Sequence, residues 1–362
     1  MINTVNGNLL EAEVDALVNT VNTVGVMGKG IALQFKQAFP ANYVAYERAC
    51  RAEQVRLGSM FVFDNGGLTK PKYIINFPTK KHWRSKSQIG DIQSGLIDLV
   101  RVIRQYDIRS IAVPPLGSGS GGLDWDEVRP LIEDALKPLT EVDVLIYPPE
   151  GAPKEQDMSV ATSKPPMTLG RAVLLRLLDH YGPRAEAVEG VSQVEIQKLM
   201  YFMQAAGQDL RLQYSKATYG PYADNLNHVL RMLEGHYLRG FGDRTRKVSE
   251  SSNIRLLPGA SDEAATFLQG EDFTDQRFDE VLGLIDGFES PYGLELLATV
   301  HWLGTIEDSR AAEDSDVAIE LVQAWNRRKA RLFTERHIAI AWRRLHSARP
   351  HDWFKRPAVA MK

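Results

Sequence analysis

The stretch NTVNTVGVMGKGIALQF, residues 19–35, sets Gly25, Gly28 and Gly30 between a short β-forming run and an apolar pattern at helical spacing. Glycines just ahead of a helix let backbone N–H groups close on an anion, and the helix N-terminus favours negative charge. A second stretch repeats the arrangement. PPLGSGSGGLDW, residues 114–125, follows the apolar run 108–113 and precedes the helical pattern 125–136. Its centre holds four glycines and two serines in six residues, so it offers many N–H donors and little side-chain bulk. Two such loops, each after a strand and before a helix, point to a diphosphate at the carboxyl ends of a parallel sheet. The glycine order is not that of a Rossmann fingerprint, and no acidic residue stands at the expected place after the first loop. Neither loop closes with Gly-Lys-Ser/Thr, so neither is a P-loop.

Residues 14–18, 60–63, 73–77, 108–113 and 142–147 read as strands. Residues 31–51, 89–106 and 125–136 read as helices, with Pro40 bending or breaking the first and Asp124 capping the last. Strands alternating with helices predict an α/β domain over residues 1–150, its mixed, mostly parallel sheet lying between helices. Residues 151–167 are rich in Pro, Ser, Glu and Lys, lack apolar periodicity and read as a linker. Residues 168–362 read as a mainly α-helical second domain, with helical patterns at 172–180, 192–206, 222–234, 262–269, 275–288, 293–303, 316–329 and 334–346.

The net charge of −3 excludes a polycation that binds nucleic acid by charge alone. One cysteine, Cys50, cannot form an internal disulfide or a multi-thiolate metal site, which fits a reducing cytoplasm. The first residues lack the basic flank and apolar core of a signal peptide, and no run of about 18 apolar residues marks a membrane span. Neither a metal nor a cofactor is expected.

FPTKKHW, residues 77–83, carries a strand into Lys80 and Lys81. Neighbours in an extended chain point opposite ways, so at most one of the two lysines faces a given pocket. Spacing alone leaves open which one.

GNLLEAEVDALVNTVNTVGVMGKGIA, the Lys80 segment and PPLGSGSGGLDW, taken in order, resemble a macrodomain, the module that binds ADP-ribose. More narrowly, residues 1–150 are similar to the lysine-dependent macrodomain hydrolases, and the chain resembles the antitoxins of the DarTG toxin–antitoxin family. IQKLMYFMQAAGQDLRLQYSKATYGPYADNLNHVL, residues 196–230, resembles the helical Panacea-type antitoxin domains, with Tyr219-Gly220-Pro221-Tyr222 as a turn before a helix.

The resemblance implies an antitoxin that removes ADP-ribose from thymine bases of single-stranded DNA and separately binds the cognate DarT toxin, an ADP-ribosyltransferase. It implies Lys80 as the catalytic residue, facing the distal ribose with Thr79 beside it. Asn8 would accept from the adenine amino group, and Leu9 would offer its N–H to adenine. Asn22 would lie near the distal ribose, and Asn19 would contact ADP-ribose. Gly28, Lys29, Gly30 and Ile31 would wrap the distal ribose and diphosphate. Gly117, Ser118, Gly119, Ser120, Gly121, Gly122 and Leu123 would close on the diphosphate from the other side. Lys81 would face away or toward DNA; His82 and Trp83 would stack on a base of single-stranded DNA, or Trp83 would pack on the domain edge as an ordinary loop tryptophan. A human member of the lysine class carries an aspartate in the second loop where Gly121 stands here, which puts a second catalytic acid in doubt.

Residues 262–320 hold sixteen acidic residues against Arg277 and Arg310, while residues 327–356 are strongly basic. Solvated helix faces explain such runs; so does an acidic surface that docks on a basic partner. On the second reading Asp275, Asp279 and Glu280 would meet the toxin. Two other readings of the first domain remain: a reader of ADP-ribose, which needs no cation at Lys80, and a hydrolase of protein-linked ADP-ribose.

Overall fold

The computed structural model describes residues 1–66, 70–149, 154, 157–184, 190–243, 253–269, 276–348 and 352–355. The chain divides into two units, Met1–Ser163 with Gly242–Thr245, and Lys164–Phe241 with Arg246–Lys362.

The first unit runs β1 (Ile2–Thr4), β2 (Ala16–Asn22), α1 (Gly30–Ala38), α2 (Pro40–Arg51), β3 (Phe61–Asp64), β4 (Tyr73–Lys80), α3 (Ile89–Gln105), β5 (Ser110–Val113), α4 (Trp125–Leu136) and β6 (Asp143–Ile146). The strands form one sheet in the order β1-β6-β5-β2-β4-β3. Only β3 runs antiparallel to its neighbour; the other pairs are parallel. Alternate side chains leave opposite faces of a strand. Ala16, Val18, Ile75, Phe77, Ile111 and Val113 accordingly pack with Ile92, Leu96 and Ile132 of α3 and α4. Leu17, Ile74 and Ala112 pack on the other face with Phe35 of α1. With helices over both faces, the strands need apolar residues at almost every position. That explains why they read as short apolar runs rather than as alternating patterns.

Pro40 breaks the long helical pattern, as its missing N–H requires. Phe39 leaves helical geometry at φ −131° and ψ 70°, and Pro40 becomes the first residue of α2. β4 is longer than its apolar core suggests and runs on through Pro78 to Lys80. Its pairing with β3 ends at Asn76, so Pro78 sits where one side of β4 has no partner strand.

The second unit holds α5 (Leu169–Tyr181), α6 (Gln193–Ala205), β7 (Tyr214–Ala217), β8 (Gly220–Ala223), α7 (Leu226–Leu233), β9 (Leu238–Arg239), β10 (Arg255–Leu256), α8 (Ala260–Leu268), α9 (Gln276–Ile285), α10 (Pro291–Trp302), α11 (Arg310–Glu313), α12 (Ser315–Trp325), α13 (Arg327–Leu332) and α14 (Glu335–Ser347). It is helix-rich, as expected. At α6 Ser192 and Glu195 form a capping box, each side chain bonded to the other's backbone N–H. Tyr219-Gly220-Pro221-Tyr222 is not a turn leading straight into a helix. Gly220 to Ala223 form a strand antiparallel to β7, and the helix starts at Leu226. Gly220 has φ +90°, and a Cβ there would meet Thr299 Oγ1 at 2.9 Å, so only glycine fits.

Every residue of α10 from Gly293 to Trp302 is buried, which makes it the axis of this unit. Its buried carboxylate, Glu295, accepts from Lys329 Nζ (2.6 Å) and from Arg328 Nη1 and Nη2 (2.6 and 2.9 Å). Lys198 is also buried, and its Nζ donates to the Pro221 carbonyl at 2.6 Å. Burial, with Lys329 adding like-charge repulsion, lowers the Lys198 pKa to about 7.

The acidic run is not an open surface throughout. Glu263, Asp286, Glu295, Glu307 and Asp308 pair with Lys164, Arg344, Arg328 and Lys329, Lys216 and Arg310. Glu280 corrects the expectation of a toxin contact: it is 7% exposed and accepts from Gln276 Nε2 at 3.0 Å. Asp279 is exposed, and Asp275 lies outside the described residues.

Candidate active site

Parallel strands β2 and β4 end side by side, and their last pairing is irregular. Val21 pairs with Pro78 but Asn22 pairs with Lys80, which leaves Thr79 as an extra residue. Such a bulge re-aims the side chain that follows it. Thr79 turns inward, 3% exposed, with its Oγ1 on the Val21 carbonyl. Lys80 extends to the second glycine loop and donates from Nζ to the Ser120 carbonyl at 2.9 Å. Lys81 is exposed. Partial burial strips water from the Lys80 ammonium and holds its pKa below the ordinary lysine value.

Asn22 braces the first glycine loop. Its Oδ1 accepts from the N–H groups of Val24 (3.0 Å) and Val26 (3.3 Å), and its Nδ2 donates to the Val26 carbonyl (2.6 Å). Gly25 makes the turn at φ +80°, and Gly30 opens α1 at φ +62°. Lys29 is exposed and Gly28 and Ile31 are half-buried. The Gly30 N–H donates to the carbonyl of Asp243 (3.0 Å), and Gln34 Nε2 to the Asp243 carboxylate (2.7 Å); Asp243 groups with the first unit.

Asn19 lies deeper than the expected ADP-ribose contact. It is fully buried, and its Nδ2 donates to Asn76 Oδ1 at 3.0 Å. Asn76 in turn donates to Asn42 Oδ1 at 2.7 Å. This amide chain ties β2, β4 and α2 together beneath the loops. Asn19 Oδ1 is buried and has no hydrogen-bond partner in the protein.

Asn8 caps the turn Leu9–Glu11: its Oδ1 accepts from the Leu10 N–H (3.1 Å) and its Nδ2 donates to Glu11 (2.9 Å). The Leu9 side chain is buried.

The second loop folds on itself. Leu123 N–H donates to the Gly117 carbonyl (3.1 Å) and Gly122 N–H to the Gly119 carbonyl (3.0 Å). Gly119 and Ser120 are exposed, whereas Gly117 and Gly121 are buried. A Cβ on Gly121 would lie 2.3 Å from the Gly117 carbonyl oxygen and 2.4 Å from Ser87 Oγ. No aspartate can occupy position 121 without moving that backbone. The nearest acid, Asp124, is committed to capping α4, accepting from the Asp126 N–H at 3.0 Å. Ser118 Oγ and Ser87 Oγ are buried without a protein partner, so two hydroxyls stand ready at the base of this loop. Among the described residues no group of three or more His, Cys, Asp or Glu is placed to hold a metal ion.

Sequence reasoning missed Thr23, Asn42, Asn76 and Ser87. Asn42 and Asn76 are single polar residues inside apolar patterns, a signal that marks buried hydrogen-bonded pairs. Thr23 and Ser87 carry no such signal.

A doubly covered sheet, two glycine loops at the carboxyl ends of its strands, and a partly desolvated lysine between those loops define a macrodomain. The Macro domain family matches residues 18–132. A Thermus aquaticus DNA ADP-ribosyl glycohydrolase is 50% identical over 99% of this chain and 97% of its own length. The chain belongs to that family, the DarG proteins. The solved macrodomain of Mycobacterium tuberculosis DarG is 58% identical and covers 41% of this chain and 99% of its own, with a TM-score of 0.41. A Thermosipho africanus protein, a fusion of DNA ADP-ribosyl transferase and DNA ADP-ribosyl glycohydrolase, is 36% identical over 40% of this chain and 41% of its own.

Proposed function

We propose that this chain is a DNA ADP-ribosyl glycohydrolase that releases ADP-ribose from thymine bases of single-stranded DNA, with Lys80 as the catalytic residue. The observation that carries this is the position of Lys80. It stands opposite Asn22, with Nζ at the Ser120 carbonyl, between the two glycine loops. The loops supply the N–H groups and hydroxyls that an ADP-ribose diphosphate and ribose require. The bond to be broken joins the ribose anomeric carbon to a thymine ring nitrogen. An imide nitrogen leaves as a fairly stable anion, so no strong general acid is needed, in keeping with the absence of an acid at position 121. A neutral Lys80 amine attacks the anomeric carbon as the bond to the thymine nitrogen breaks and the base leaves as its anion, which takes up one amine proton. The ring oxygen then leaves C1 and takes the other, giving a Schiff base on the ring-opened ribose, and water hydrolyses it to free ADP-ribose and the Lys80 amine. Its lowered pKa favours that neutral form, and a bound diphosphate opposes it.

The test is release of ADP-ribose from a thymine-modified single-stranded oligonucleotide by the wild type and by Lys80→Ala. Loss of release with ADP-ribose binding retained supports the assignment. Equal release by the two proteins refutes it. Borohydride during turnover traps a Lys80 adduct if the covalent route holds.

The helical unit is assigned to neutralising a DarT transferase that modifies DNA. A relative in which transferase and glycohydrolase are fused supports that pairing. A transferase acting on DNA needs a basic groove, and exposed acids such as Asp279 and Asp262 suit it. Reversal of both to lysine should weaken toxin binding and alter its salt dependence; unchanged affinity sinks the acidic-surface idea.

A further inference from the structure

We propose that the segment Lys81–Lys86 is a landing for the unpaired nucleotides beside the modified thymine, with one base stacked on Trp83 and phosphates met by Lys81, Arg84 and Lys86. This rests on the reading of the cleft as a DNA glycohydrolase site.

The segment is anchored at both ends, and the anchors are the two glycine loops. Thr23, in the first loop, donates its N–H (3.1 Å) and its Oγ1 (2.9 Å) to the Lys81 carbonyl. The Ser87 N–H donates to the carbonyl of Gly121, in the second loop, at 3.0 Å. The chain from 81 to 86 therefore crosses from one loop to the other and forms the rim of the cleft directly after Lys80. Between the anchors, Ser85 N–H donates to the His82 carbonyl (2.9 Å) and Arg84 N–H to His82 Nδ1 (3.2 Å), which folds the rim into a tight turn. A substrate base held at Lys80 has its chain neighbours leave across this rim.

The turn presents one large ring. Of the six tryptophans, Trp83 alone is exposed, at 45%. The Arg84 guanidinium lies 4.4 Å from the Trp83 ring centroid, and the His82 ring lies 5.3 Å away at 32°. Val24 and Val26 of the adjoining loop are exposed as well. Residues 81 to 86 are all exposed and include three cations and no acid, in a chain whose net charge is negative. An exposed aromatic with a stacked guanidinium among lysines matches the chemistry of unpaired nucleic acid: a free base face for the ring and phosphates for the cations. A paired duplex does not fit, because its base faces are already stacked on each other.

The test compares kcat/KM for ADP-ribose release from ADP-ribosyl-thymidine and from the same group inside a single-stranded oligonucleotide, using the full chain. The wild type is expected to prefer the oligonucleotide. Trp83→Ala should cut that preference about tenfold, within the range that base–aromatic stacking contributes. Trp83→Phe should restore most of it. Replacing Lys81, Arg84 and Lys86 together by Gln should flatten the salt dependence on the oligonucleotide. No preference in the wild type, or equal loss on both substrates in Trp83→Ala, overturns the proposal. If the wild type cleaves neither substrate, the glycohydrolase reading fails separately. Anisotropy of an unmodified, dye-labelled single-stranded oligonucleotide then decides the rim alone. About tenfold weaker binding by Trp83→Ala supports it, and equal binding overturns it.

Discussion

Lys80 stands opposite Asn22 only because Thr79 drops out of the ladder between β2 and β4. The two side chains then divide the work. Asn22 is spent inside the first loop, on Val24 and Val26, while Lys80 reaches the second loop at Ser120. The strand ends thus hold one loop rigid and place a cation against the other.

The pH profile of release follows from the depressed Lys80 pKa. If the neutral amine attacks the sugar, kcat/KM rises with pH and levels off above that pKa, below the ordinary lysine range. Lys80→Arg, which stays charged, removes both the rise and the activity. Single-turnover rates between pH 6 and 10 check this. A rate that falls with rising pH instead assigns Lys80 a charged, electrostatic role.

Gly121→Ala should weaken ADP-ribose binding at least tenfold. The new Cβ meets the Gly117 carbonyl and Ser87 Oγ below 2.5 Å, and the backbone contact cannot be relieved by rotating a side chain. Overpacking of this kind costs about 1–3 kcal/mol, here borne by the ligand loop. Calorimetry with ADP-ribose measures it, and Ser87→Ala should not rescue it.

Asn42→Ala should destabilise the first unit by about 1–3 kcal/mol, because it removes the 2.7 Å acceptor of the buried Asn76 amide and leaves only the Phe61 carbonyl at 3.3 Å. Urea unfolding followed by circular dichroism reads the loss.

The buried Lys198 makes stability depend on pH. Its folded pKa of about 7 lies below the value of about 10.4 expected when unfolded. Between those limits the unfolded chain binds more protons, so stability rises as pH climbs from about 7 toward 10. Below about 7 the cost of burying the charge is fully present and constant. Lys198→Met should flatten the difference, which is on the order of a few kcal/mol. Denaturation midpoints of the two proteins at pH 7 and 9.5 decide it.

Glu295→Gln should be more damaging than any of these. It leaves the buried Lys329 without its carboxylate, and removing one partner of a buried ion pair costs about 3–5 kcal/mol. A fall in thermal midpoint with the first unit's ADP-ribose binding retained is the expected pattern.

The glycine loops, the strand–helix alternation, the break at Pro40 and the cap at Asp124 were all legible, because each is written in local residue chemistry. What was not legible depends on pairing across the chain. Nothing near Thr79 announces a slip in register, which β2 and β4 settle between them. The buried role of Asn19 comes from Asn42 and Asn76, far away in sequence. The hairpin at Gly220 is shaped by Lys198 and Thr299 packing against it. The acidic run looked unpaired because all but one of the cations that pair with it lie outside it, at Lys164, Lys216, Arg328, Lys329 and Arg344, with Arg310 alone inside.

Adjacent identical residues invite the idea of redundancy, and the bulge at Thr79 removes it. A strand assigns its faces by parity. In an unbroken ladder Thr79 would stand opposite Asn22, and Lys81 rather than Lys80 would share that face. With the extra residue in place, Lys80 reaches the second loop at Ser120 and Lys81 opens the exposed rim. Losing one lysine leaves the other no path to its post, so the doublet is two unlike parts with no spare between them.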